Sequence, residues 1–140
     1  MEQQKQGNSM AVKEYQYQPA THDSLHLCLC WAQNNLELRD WNIRLDTSDE
    51  IPRELLPDDA SGKVIYRINY HTAMVWVPIG RCKAENMNPY SILLHEAIHI
   101  RMAMDGFGDD EATVCMLEPI LYRLYTKETK LRQAKERTEE

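Results

Sequence analysis

The chain has 140 residues, 43% of them hydrophobic, and a formal net charge of −6 at pH 7. That length suits one domain with one core. The acidic balance gives no bulk attraction for nucleic acid or an anionic membrane, and no run of about 18 apolar residues offers a transmembrane helix.

The first twenty residues, MEQQKQGNSMAVKEYQYQPA, are polar and Gln-rich and lack the apolar centre of a signal peptide. They are expected to form a disordered leader on a protein kept in the cytoplasm. Thr21 or Asp23 can cap a helix through DSLHLCLCWAQNNLEL, where Leu25, Cys28, Leu29 and Ala32 follow helical spacing. Asn34 and Asn35 suit its end. In WNIRLDTS (41–48), Trp41, Ile43 and Leu45 alternate with polar residues, which predicts a half-buried strand. SDEIPRELLPDDASG reads as a loop with one short helical turn. KVIYRINY (63–70) and AMVWVPIG (73–80) predict two further strands, with His71 and Thr72 between them as a hairpin turn. Pro78 ends the second run or marks it as an edge.

NPYSILLHEAIHIRMAM (88–104) predicts a helix with Asn88 or Ser91 as cap and Pro89 in the first turn. It is apolar nearly all round, so it should be buried. After the turn DGFGDD, Asp109 and Asp110 suit the start of a last helix. Its expected apolar stripe is Val114, Leu117, Leu121 and Leu124, and Pro119 should kink or split it. KETKLRQAKERTEE (127–140) is a charged, solvated helical tail. The expected organisation is therefore a leader (1–20), a domain (21–126) and a tail (127–140). The domain is α+β, with an N-terminal helix, a small three-stranded and mainly antiparallel sheet, a buried helix and a C-terminal helix. Cys28, Cys30, Cys82 and Cys115 form no CxxC pair and read as small buried hydrophobes, reduced in the cytoplasm. Trp31, Trp41 and Trp76 read as core.

Chemistry gathers in HEAIH. A buried helix is a costly place for two imidazoles and a carboxylate unless something compensates them. At about 100° per residue, His95 and His99 project within roughly 40° of each other, one turn apart, where one tetrahedral ion can accept both. Glu96 lies on the flank of that face and can reach a water without occupying a ligand position. A zinc peptidase needs a third protein ligand. Asp105 lies six residues past His99, the place of the last ligand in the metzincin pattern HExxHxxGxxH, but the glycine of that pattern is Met102 here. Glu111 opens the next helix and can face His99 across an antiparallel helix pair. Glu111 is the preferred ligand, with Asp105, Asp110, Glu118 and His71 left open.

The order of a helix, LELRDWNIRL, GKVIYRINYHTAMVWV, LLHEAIH and DDEATVCMLEPIL resembles the short HExxH zincins of phage and prophage proteins, relatives of the SprT-like and ImmA/IrrE-like metallopeptidases. The resemblance covers about residues 24–125. It implies a minimal zincin-like domain holding Zn2+ on His95, His99 and Glu111, with Glu96 as general base in peptide-bond hydrolysis. It implies a protein or peptide substrate, a phage origin, a host cytoplasm and host or phage protein partners. An extended substrate is expected to pair with the sheet edge nearest the HEAIH helix, formed by AMVWVPIG. The alternative expectation is a regulatory binding protein of the same fold with a structural zinc and no turnover.

Overall fold

The computed structural model describes residues 15–55, 62–108 and 110–139. Helix α1 (His22–Asn35) begins at Thr21, whose hydroxyl accepts from Ser24 N–H while the Ser24 hydroxyl accepts from Thr21 N–H. This reciprocal cap satisfies two amides that the first turn leaves without helical partners. Leu25, Cys28, Leu29 and Ala32 form its buried face, as their spacing predicts.

Strand β1 (Asn42–Asp46), β2 (Lys63–Arg67) and β3 (Thr72–Trp76) make one sheet in the order β1-β3-β2. β3 is parallel to β1 and antiparallel to β2, with Ala73 opposite Ile43 on one side and Tyr66 on the other. The sheet is thus mixed, where a mainly antiparallel one was expected. The reason lies in β3. Its inner face (Ala73, Val75) meets the main core, while Met74 and Trp76 on the opposite face pack with Ile51 beneath the 47–52 loop. The Trp76 indole N–H donates to the Ser48 carbonyl at 2.8 Å. A strand buried on both faces belongs in the middle of a sheet. β3 is therefore not an edge, and the substrate pairing expected along it has no free backbone to use.

Both hairpin strands are shorter than predicted. Ile68–Tyr70 form a 3-10 turn, and His71 takes the left-handed conformation (φ 50) that reverses the chain. β3 stops at Trp76, and Ile79–Ala84 form a short helix, α2, that the strand reading of 73–80 did not contain. The Asp49 carboxylate accepts from Arg81 N–H at 3.0 Å at the start of α2. A Cβ on Gly80 would lie 2.3 Å from Asp49 Oδ2, so only glycine lets that carboxylate approach.

Helix α3 (Pro89–Met104) carries HEAIH. The Asn88 side chain caps it by accepting from Tyr90 N–H, and Pro89 stands at its first position. Leu93, Leu94, Ala97 and Ile100 are wholly buried in the core shared with α1 and the sheet. Residues 15–20, read as the end of the leader, run over the start of α3: Asn88 N–H donates to the Tyr15 carbonyl and the Tyr90 hydroxyl to the Pro19 carbonyl. The rest of the expected leader, 1–14, lies outside the described residues.

Helix α4 (Glu111–Glu139) runs through Pro119 without the expected split and continues through the charged tail. It is anchored on both sides of the proline, by Val114 and Glu118 before it and by Leu121, Tyr122 and Tyr125 after it. The stripe read from sequence was displaced. Leu117 and Leu124 are exposed, while Glu118, Tyr122 and Tyr125 stand on the inward side.

Candidate metal centre

α3 and α4 pack as an antiparallel pair joined by residues 105–110. One turn of α3 separates His95 from His99, and their ring centroids lie 4.9 Å apart. Glu111, the first residue of α4, reaches both. Its Oε1 lies 2.6 Å from His95 Nε2 and its Oε2 lies 2.8 Å from His99 Nε2. A single carboxylate thus faces both histidines from the neighbouring helix.

The other ring nitrogens are held as well. His99 Nδ1 lies 2.7 Å from the Gly108 carbonyl oxygen, and His95 Nδ1 lies 2.8 Å from Glu118 Oε1. A carbonyl oxygen can only accept, so His99 Nδ1 must donate. In the neutral ring this leaves a lone pair on Nε2, and that lone pair points at a carboxylate oxygen. Acceptors at 2.7 and 2.8 Å on the two nitrogens of one ring call for a positive charge between them. Either protons or a cation can supply it, and one divalent ion does so for both rings. A second acceptor on Nδ1 is also the arrangement that orients a metal-binding imidazole. The turn is built for this: a Cβ on Gly108 would lie 2.5 Å from the Tyr66 hydroxyl and 3.0 Å from Ala103 Cβ, so the carbonyl's approach depends on glycine.

The chain matches no family model, no curated protein and no solved structure.

Electrostatics agree with a cation-binding role. Burial opposes protonation of His95, but the Glu118 hydrogen bond and the Glu96, Glu118 and Glu111 carboxylates outweigh it and raise its pKa. Burial works against ionisation of Glu111 too, yet His95 and His99 hold its carboxyl below the usual range. Glu96 is only 8% exposed. Burial pushes its carboxyl up to about 7, against the pull of both histidines.

Imidazole nitrogen and carboxylate oxygen are a donor set that a divalent transition-metal ion, zinc among them, can take. Donor atoms around a tetrahedral zinc stand about 3.3 Å apart. The present contacts are shorter by roughly half an ångström, a change that Glu111 can absorb because its side chain is 60% exposed.

Cys115 joins the cluster. One ligand atom each from His95, Glu111 and Cys115 lie within 4.8 Å of one another, and the thiol lies 3.7 Å from Glu111 Oε1. His99 stands outside that tight group, on the far oxygen of Glu111. Cys115 and Cys30 are exposed, which corrects their reading as buried hydrophobes; Cys28 and Cys82 are buried as expected. Nothing in the apolar run around Cys115 signalled this, although Glu111, Cys115 and Glu118 at i, i+4 and i+7 do mark one polar helix face.

The other ligand candidates are engaged elsewhere. Asp105 pairs with Arg101 at 3.1 Å. Asp110 caps α4 by accepting from Thr113 N–H and its hydroxyl, which lowers the Asp110 pKa. His71 pairs with Asp40 at 2.5 Å and stacks on Trp41. Glu118 belongs to the site, but behind His95. Asp109 lies outside the described residues. Beside the centre, Met87, Ser91, Ile92, His95, Cys115 and Glu118 line a largely apolar cavity of about 430 Å3.

Proposed function

We propose that the protein is a zinc-dependent peptidase in which His95, His99 and Glu111 hold the ion and Glu96 is the general base. The observation that carries this reading is the double hold on the histidines: both Nε2 atoms face Glu111 while both Nδ1 atoms face a second acceptor. When bound, zinc acidifies a water and polarises a carbonyl. Glu96 would take the proton from that water and deliver it to the leaving amine. Glu118 and the Gly108 carbonyl would keep the rings aimed. An extended substrate would lie along β2, the edge strand beside α3.

The test compares zinc-loaded protein with its Glu96→Gln variant on a library of peptides from a digested proteome, with new termini read by mass spectrometry. The variant should keep its zinc and cut roughly 10²–10⁴-fold more slowly. Equal cutting by both proteins would remove Glu96 from the reaction.

A second reading, a binding protein with a structural zinc, is favoured by the nearness of Cys115 to His95 and Glu111. It expects no new termini from either protein, under the same conditions in which zinc is bound.

A further inference from the structure

We propose that Cys115 is the fourth protein ligand of the resting centre, so that its thiolate closes the ion to water until something displaces it. This rests on the metal reading above. Two histidines and one glutamate leave one of four positions around a tetrahedral zinc. Cys115 follows Glu111 by one turn of α4, and its sulfur falls within the same 4.8 Å group as His95 and Glu111. No packing role explains it, since Cys115 is exposed while Cys28 and Cys82 are buried. Cys30 is exposed as well, but its thiol is turned to His26 on α1.

The chemistry of the donor agrees. Zinc binds thiolate sulfur well, and binding releases the thiol proton to solvent. With its proton displaced by the ion, the Cys115 sulfur would add a second negative charge to that of Glu111, and the two would neutralise a divalent ion. Three open ligands would leave the centre ready to activate water; four closed ones hold it latent. Cys115 also lines the 430 Å3 cavity beside His95 and Glu118. A molecule that fills the cavity would lie against the sulfur, so occupation of the cavity and ligation by Cys115 would compete.

Cobalt(II) titration of the full chain, stripped of metal by chelator and dialysis, tests this without reference to activity. Visible d–d bands should saturate at one ion per chain. They should be accompanied by the near-ultraviolet charge-transfer band of a thiolate on cobalt. In Cys115→Ser the d–d bands should remain and the charge-transfer band should be lost entirely. One cobalt bound without that band in the wild-type chain, or a band that persists in Cys115→Ser, overturns the assignment and leaves the metal site standing. A chain that retains no cobalt overturns the metal reading and this proposal together.

Discussion

At the residue scale, the site depends on groups that hold the histidines as much as on the histidines. Glu118→Ala removes the acceptor behind His95, and such losses typically cost about 10–100-fold in metal affinity. Zinc competition against a chromophoric chelator should show that drop, with partial rescue in Glu118→Gln, whose amide oxygen still accepts. An unchanged affinity in Glu118→Ala would mean that the 2.8 Å contact does not orient the ring. Glu96 has a signature in the chelated protein. Its folded pKa of about 7 lies above the ordinary carboxyl value of 4.5. The folded state therefore binds the proton more tightly, and stability is lost as pH rises from about 4.5 to 7. Melting of chelated protein should show Glu96→Gln gaining on wild type across that window and keeping its advantage above it. A constant difference would contradict the burial of the carboxyl. His95, Glu96 and His99 were legible because side-chain direction follows from helical spacing alone. Glu111 was legible because a helix pair joined by a short turn brings the residues beside the turn together. The Gly108 carbonyl was not, since a backbone acceptor has no letter of its own. Cys115 was hidden by its apolar neighbours.

At the element scale, α4 departs furthest from its sequence. Leu117 and Leu124, predicted as core, lie outside, and Glu118, Tyr122 and Tyr125 lie inside. Tyr125 meets Trp31 edge-on at 5.2 Å and stacks on Tyr90 at 6.0 Å. Trp31 also donates to Glu128 at 2.5 Å. Tyr125→Ala should therefore cost about 2 kcal/mol in urea unfolding, less than a fully buried aromatic because the ring is only half covered. A chain ended after Lys130 should lose little, because residues 130–136 are exposed. The opposite ranking would show that the tail, and not Tyr125, fastens α4. The stripe was misread because Leu117 and Leu124 fit a helical period as well as Val114 and Leu121 do. Periodicity gives a face, and only the partner surface decides which face is buried. For β3 the signal was present: AMVWV is apolar without alternation, which marks a strand covered on both sides. Pro78 drew that reading toward an edge, although it follows the strand's end at Trp76.

For the whole molecule, the α+β architecture and the order of its three strands and three longer helices were legible; the short helix α2 and the connection that places β3 between β1 and β2 were not. The central place of β3 goes with a covered second face, where Met74 and Trp76 pack with Ile51. No described helix is long and apolar enough to cross a membrane. The proposed ion would tie α3 to α4 through Glu111, so binding should add to folding stability. Each tenfold rise in free zinc above the dissociation constant should add about 1.4 kcal/mol, and chelator should lower the melting temperature. The most direct test of the centre is the zinc content of the untagged chain, purified without chelator and measured by elemental mass spectrometry. One zinc per chain, lost in the double variant His95→Ala, His99→Ala, is the expected result. A chain that carries no zinc, and still carries none after zinc is offered and the excess removed, would reduce LLHEAIH to a buried helix whose histidines are satisfied by Glu111, Glu118 and the Gly108 carbonyl alone.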